Sequence, residues 1–219
     1  MGRNCGGYTK ISEGINLIGT PAEIPNCGRD SLIEFFKERG FTKGAEIGVF
    51  EGDFSEVLAK GGFELYSIDP WLVYEDYGTS DYTPMAEKRY QKTVRKLSQY
   101  PNVHIVRKTS MDALAEFEDN SLDFVYIDAN HQFKYIAEDI FEWWKKVKKG
   151  GVIAGHDYAY FKSRSPCGGC QVREVVDAYA KAFRTNFWVL GNYKRTNPED
   201  IRDDYRSWMF IKGNQRDVE

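Results

Sequence analysis

The chain has 219 residues, 42% hydrophobic and 29% charged, a composition that fits one globular domain with a full core of its own. A net charge of -3 without runs of like charge argues against duplex nucleic acid or an anionic membrane as the main partner. No apolar stretch reaches the roughly 20 residues of a membrane span, and the opening residues lack the apolar core of a signal peptide. We therefore expect a cytoplasmic protein that acts on small molecules.

Residues 1–28 are rich in glycine, contain two prolines and show little periodicity. They predict an irregular N-terminal arm or lid, followed by a single domain over residues 29–219. Residues 31–40 place Leu32, Phe35 and Phe36 on one side, which predicts an amphipathic helix at the start of that domain.

From residue 45 onward, apolar strand-like runs alternate with helix-like segments. The predicted strands are 45–49, 64–68, 103–106, 122–128 and 151–157, and the predicted helices are 53–60, 85–99, 111–117, 134–147 and 171–184. This alternation indicates right-handed crossovers and a mostly parallel, doubly wound α/β sheet. The late segments TNFWVLGNY and RSWMFIKGN have no helix between them, so they predict an antiparallel hairpin that completes a seven-stranded sheet.

A glycine turn and an acid follow the first two strands of that alternation. Gly48 and Gly52 form a G-x-x-x-G turn that opens a helix, and Asp69 ends the second strand, where a carboxylate can accept hydrogen bonds from a ribose. The turn lacks the middle glycine of the dinucleotide fingerprint G-x-G-x-x-G. It contains Glu51, which would repel a pyrophosphate but tolerate a cationic sulfonium.

Two stretches carry a resemblance to a known family. AEIGVFEGDFS followed by YSIDPW resembles the first two motifs of Rossmann-like class I S-adenosylmethionine-dependent methyltransferases. FVYIDANHQFKYIAEDIFEWWKKVKKGGVIAGHDY resembles the fourth and fifth strands of their macrocin-type and catechol-type small-molecule O-methyltransferase branch. Together with the turn chemistry, the resemblance implies cofactor contacts from Glu46, Gly48, Glu51, Gly52, Asp69, Ser110, Met111 and Asp128.

A second group of polar residues follows the fourth and fifth of these strands. Asp128 ends one strand and His156 and Asp157 end its expected neighbour, so their side chains should converge beside the cofactor. In metal-dependent members of the branch, acids or amides at these places bind a divalent cation, which implies Asp128, His156 and Asp157 as ligands of magnesium, manganese or iron. His131 could reach the same space, and a histidine acting as general base without a metal is the alternative. The four residues Asp128, His131, His156 and Asp157 are the catalytic candidates.

The favoured function is therefore methylation of a small-molecule hydroxyl, metal-assisted or histidine-assisted. The alternatives are an iron enzyme similar to cephalosporin hydroxylases, a nicotinamide oxidoreductase, which the missing glycine disfavours, and a cofactor-binding regulatory or interaction protein. The acceptor pocket is expected from residues 70–82, residues 158–169 and the N-terminal arm. Cys167 and Cys170 form a C-x-x-C that reads as a reduced loop, with a zinc site using Cys5 and Cys27 as the other interpretation. The sequence does not fix the oligomeric state, and a homodimer is one alternative.

Overall fold

The computed structural model describes residues 10–72, 83–159, 169–191 and 205–213. Its strands are β1 (Ala22–Ile24), β2 (Lys43–Ile47), β3 (Glu64–Ile68), β4 (Val103–Val106), β5 (Leu122–Ile127), β6 (Val147–Gly155), β7 (Trp188–Leu190) and β8 (Ser207–Ile211). Its helices are α1 (Ile11–Gly14), α2 (Ser31–Glu38), α3 (Asp53–Lys60), α4 (Thr83–Leu97), α5 (Ser110–Ala113), α6 (Phe133–Lys146) and α7 (Val172–Ala182), with a 3-10 turn at Leu114–Glu116.

The strands form one sheet in the order β1-β7-β8-β6-β5-β2-β3-β4. Neighbouring strands are parallel except at β8, which runs antiparallel to both β6 and β7. The doubly wound α/β architecture and the antiparallel pairing of the last two strands are thus confirmed. Strand order reverses between β2 and β5, so the carboxyl ends of these two strands border the crevice in which open α/β sheets bind ligands.

The described sheet has eight strands rather than the predicted seven. The additional strand is β1, which pairs with β7 at the edge of the sheet and lies in the segment predicted to be irregular. It is only three residues long, with Glu23 exposed between two buried residues, and its pairing partner is far away along the chain. Neither length nor local periodicity could therefore reveal it.

Two apolar layers cover the sheet. On one face, α6 and α7 pack against the sheet through Ile140, Trp143 and Val176, with the aromatic ring of Phe210 in the same cluster. On the other face, Phe36 of α2 stacks on Phe124 of β5 with ring centroids 4.4 Å apart. Because both faces are covered, β5 is buried along its whole length, as expected for a central parallel strand. No helix in these described segments is long and apolar enough to cross a membrane.

Candidate active site

A cleft of about 250 Å³ opens at the carboxyl ends of β2 and β5. Of the eight predicted cofactor contacts, four lie in its wall: Gly48, Asp69, Ser110 and Asp128. The wall also contains Phe50, Arg89 and Asn130, which the sequence did not single out, and Trp71 and Leu72, which lie in the stretch 70–82 expected to form the acceptor pocket. Phe50, Trp71 and Asn130 follow the ends of β2, β3 and β5, and their nearness to predicted residues was the available signal.

The glycine turn owes its shape to packing between strand ends. Gly48 has a φ of +87°, and a Cβ placed on it would lie 2.2 Å from the carbonyl oxygen of Asp128 and 2.7 Å from the Cα of Ala129. Both contacts are with backbone, which cannot turn aside. Glycine is therefore required here because the ends of β2 and β5 approach so closely.

Phe50 in the same turn adopts a left-handed backbone, with a φ of +55°. Its carbonyl oxygen accepts hydrogen bonds from Trp71 Nε1 at 2.8 Å and from Thr93 Oγ1 at 3.1 Å. Trp71 and Asp157 also have positive φ values, at 45° and 60°. Such conformations cost about 1–3 kcal/mol each and persist only where the surrounding structure holds them.

Asp69 organises the turn as well as facing the cleft. One carboxylate oxygen accepts hydrogen bonds from the backbone N–H groups of Val49 at 2.9 Å and Phe50 at 3.0 Å, and the other accepts from Trp71 N–H at 2.6 Å. A carboxylate offers about four acceptor positions, so three are used and about one remains for a ribose hydroxyl. The expected double contact with both ribose hydroxyls would require one of these backbone bonds to be shared or released.

The other predicted contacts lie outside the wall of the cleft. Glu46 is buried beneath the turn and accepts a hydrogen bond from Ser55 Oγ, and its burial raises its pKa to about 8. Glu51 forms an ion pair with Lys92. Gly52, at a φ of +77°, precedes the first residue of α3, and Met111 is the half-buried second residue of α5.

Ser110 joins the wall of the cleft to a buried acid behind it. Its hydroxyl donates to Asp139 of α6 and accepts from Trp143 Nε1 at 2.8 Å. Burial raises the pKa of Asp139 to about 7 against the lowering effect of the Ser110 hydrogen bond. Sequence reasoning did not single out Asp139, because an acid one turn from apolar positions on a helix resembles a solvent-facing residue.

Three of the four catalytic candidates come together at the ends of β5 and β6. Ligand atoms of Asp128, His131 and Asp157 all lie within 4.8 Å of one another. His131 Nε2 is 3.0 Å from Asp157 Oδ2 and 3.7 Å from Asp128 Oδ1. Although close, these atoms are poorly aligned for hydrogen bonding, and the buried Nε2 has no well-formed hydrogen bond in the described structure.

His156 lies beside this cluster but outside it. Its Nδ1 is 3.5 Å from Asp157 Oδ2, and its carbonyl oxygen accepts a hydrogen bond from Trp208 Nε1. The structure thus places His131, rather than His156, with the two aspartates. The remaining histidine, His104 of β4, stacks on Tyr66 of β3 and is not among the residues that line the cleft.

The charges in the cluster reinforce one another. Burial alone would lower the pKa of His131, but interactions with Asp128 and Asp157 outweigh it and raise this pKa to about 9. Burial opposes ionisation of Asp157 as well, yet His131 and His156 hold its pKa well below its ordinary value. Without another cation, the cluster at neutral pH therefore contains a protonated His131 between carboxylates.

The described residues include only part of the predicted acceptor pocket and of the C-x-x-C loop. Residues 73–82, 160–168, Cys5 and Cys167 lie outside the described residues. Cys27 and Cys170 are free thiols, and burial raises the pKa of each to about 11. Among the described residues, neither belongs to a cluster that could hold a metal ion.

A sequence model described as "Methyltransferase domain" matches residues 45–158, which include the glycine turn, Asp69 and the cluster of Asp128, His131 and Asp157. The chain belongs to this methyltransferase family. The predicted enzyme class, an S-adenosylmethionine-dependent methyltransferase, is thereby confirmed. Family membership fixes the class of reaction but not the acceptor.

Two relatives with uncharacterised functions share part of the methyltransferase sequence. Protein R132 of Acanthamoeba polyphaga mimivirus is 25% identical over 193 residues, which are 85% of this chain and 83% of that protein. Protein y4gI of Sinorhizobium fredii is 27% identical over 107 residues, or 48% of this chain. The matched region spans only 11% of the length of y4gI.

Solved structures share the fold at low sequence identity. The O-methyltransferase TomG from Streptomyces achromogenes, in complex with SAM, has a TM-score of 0.58 at 16% identity over 84% of this chain and 79% of that one. An O-methyltransferase from Bacillus cereus, in complex with SAH, has a TM-score of 0.56 at 16% identity over 84% and 80%. An rRNA methylase from Streptococcus thermophilus reaches 0.55 at 14% identity over 83% and 93%, so the fold alone does not select an acceptor.

Proposed function

We propose that the enzyme methylates a hydroxyl group of a small molecule, and that a divalent metal held by Asp128, His131 and Asp157 assists the transfer. The observation that carries this proposal is the cluster of three ligand atoms within 4.8 Å at the strand ends. Asp128 belongs both to this cluster and to the wall of the cleft. A bound acceptor oxygen at the cluster would therefore lie next to the methyl donor.

The donor set fits a divalent transition metal. His131 Nε2 is buried without a well-formed hydrogen bond and lies between two carboxylates, as a ligand atom would. Two carboxylates with one imidazole suit manganese or iron better than magnesium, which prefers oxygen ligands alone. When bound, such an ion would lower the pKa of the acceptor hydroxyl and fix its direction.

The protein's own residues would align the reaction. Methyl transfer is an in-line displacement, so most of the catalysis consists of holding donor and acceptor at the correct distance and angle. The left-handed turn at Phe50 and the close approach of Gly48 to Asp128 fix the donor side relative to the cluster. Phe50 and Leu72 line the cleft while remaining 55% and 63% exposed, which offers an apolar surface to the adenosine part of the donor.

The histidine-base alternative has less support from the electrostatics at His131, one of its two candidate bases beside His156. With a pKa raised to about 9, His131 carries a proton at neutral pH when no metal is bound, so it is a poor base there, and metal binding would have to displace that proton. An iron site of His131, His156 and one aspartate is also less well matched, because His156 lies outside the described cluster. These arguments favour the metal-assisted route.

One experiment tests the cluster directly. We expect manganese to bind the wild type in calorimetry, and Asp157→Asn to weaken binding by about 10-fold or more through loss of a charged ligand. Asp119→Asn is the matched control, since Asp119 is an exposed partner of Lys146 away from the site. Formation of S-adenosylhomocysteine with a panel of catechols, phenols and sugars should then be sensitive to chelators. Equal manganese affinity in all three proteins, or turnover that survives exhaustive chelation, would refute metal assistance.

A further inference from the structure

Arg29 lies between helix α3 and the cluster of Asp128, His131 and Asp157. It stands in the loop between β1 and α2, where its carbonyl oxygen accepts the N–H of Leu32 and so fixes the backbone. Its guanidinium lies over the ring of Phe54, 5.1 Å from the ring centroid, and its Nη1 is 3.6 Å from Asp128 Oδ2. Phe54 is the second residue of α3, directly after the turn.

The N–H donors of the Arg29 guanidinium are available to a ligand. Arginine carries five N–H donors in a planar fork. Within the described ranges those of Arg29 form no hydrogen bond, because the ion pair with Asp128 at 3.6 Å is too long for one. Its side chain is 38% exposed. The lysines near the turn are occupied, since Lys92 pairs with Glu51 and Lys96 pairs with Asp53.

The charge of Arg29 meets a requirement of the methyl donor. S-adenosylmethionine carries a sulfonium, an ammonium and one carboxylate, and the surrounding acids would favour the two cations but repel the carboxylate. The electrostatic influence of Arg29 reaches Glu46 and Asp53, which lie on either side of the glycine turn. A planar fork of N–H groups matches a carboxylate through two parallel hydrogen bonds.

We propose that Arg29 binds the α-carboxylate of the methionine part of S-adenosylmethionine and thereby selects donors that retain this group. The inference rests on the use of this donor and adds Arg29, from the loop between β1 and α2, as a specificity-determining residue. Arg29 is not in the wall of the cleft but lies at its edge, against the wall residue Asp128. Arg89 of α4 is the competing guanidinium, because it does line the cleft, where it stacks over Phe50. That position suits the adenosine end rather than the end near Asp128.

The test compares two ligands that differ only at the carboxylate. Calorimetry would measure S-adenosylhomocysteine and its decarboxylated form, which keeps the amine, against wild type, Arg29→Met and Arg29→Lys. We expect Arg29→Met to weaken S-adenosylhomocysteine by about 10- to 100-fold, as for loss of charged hydrogen bonds. The decarboxylated ligand should bind wild type and Arg29→Met within about twofold, and Arg29→Lys should recover part of the loss.

Two controls separate the possible failures. Arg95→Met removes an exposed arginine of α4 and should leave both affinities unchanged, whereas Arg89→Met tests the competing residue. The assignment of Arg29 would be overturned if Arg29→Met lost affinity equally for both ligands or lost none. A carboxylate-specific loss in Arg89→Met, in place of Arg29→Met, would overturn it too. Failure of wild type to bind S-adenosylhomocysteine would overturn the use of this donor, and with it the inference.

Discussion

Substitution of Gly48 by alanine tests whether the close approach of β2 and β5 shapes the site. The left-handed φ of +87° alone costs an alanine roughly 1–2 kcal/mol. The new Cβ would in addition meet the Asp128 carbonyl oxygen at 2.2 Å, and relieving such overpacking costs typically another 1–3 kcal/mol. We therefore expect Gly48→Ala to lower the free energy of unfolding by about 2–5 kcal/mol.

Gly40→Ala separates the two contributions. Gly40 has a similar φ of +69°, but a Cβ there meets nothing within 4 Å, so only the conformational cost of about 1–2 kcal/mol applies. Urea unfolding of the two variants measures the difference from the shift of the midpoint at constant slope. Because the clash pushes on the backbone of Asp128, Gly48→Ala should also weaken manganese binding, whereas Gly40→Ala should not. Equal destabilisation by the two substitutions would refute the reasoning.

Two further predictions concern carboxyl groups around the cleft. Asp69→Ala should lower both the affinity for S-adenosylhomocysteine and the stability of the fold, each by roughly 1.5–3 kcal/mol, because this carboxylate holds the turn as well as facing the ligand; unchanged affinity in calorimetry would remove Asp69 from the site. The pKa of Asp139, raised to about 7, means that the folded state binds a proton which the unfolded state releases near pH 4. The stabilisation by protonated Asp139 is thus complete below about pH 4 and is lost as the pH rises to about 7. Over that range the free energy of unfolding falls by roughly 1.4 kcal/mol per pH unit. Asp139→Asn should remove that part of the pH dependence of the unfolding free energy, measured by urea unfolding at pH 5 to 7. An identical change of unfolding free energy with pH in wild type and variant would contradict this prediction.

The regular part of the fold was predictable from periodicity. Buried strands such as β5 and amphipathic helices such as α6 repeat apolar residues at spacings that belong to one secondary structure each. Right-handed crossovers then limit the order of strands to few arrangements. The edge strand β1 could not be found in this way, because three residues carry no period and their partner is distant in sequence.

The site was predictable in its location but less so in its contacts. Strand ends meet at one edge of a parallel sheet, and Asp69 and Asp128, both predicted as cofactor contacts, line the same cleft. Which histidine points inward depends on the turn after β5 and on its hydrogen bond with Gln171, whose N–H donates to the His131 carbonyl oxygen at 2.8 Å. Such long-range backbone contacts have no signature in the local sequence, and the same is true of Arg29.

The position of β1 also has a consequence for self-association. Without it, β7 would present three buried apolar residues, Trp188–Leu190, along an open row of backbone donors and acceptors, which is a template for aggregation. The strand that covers this row is short, carries the charged Glu23 and is followed by Pro25, which has no N–H to donate. A second copy therefore finds little to pair with at this edge, and a dimer that grew by joining two sheets there is disfavoured.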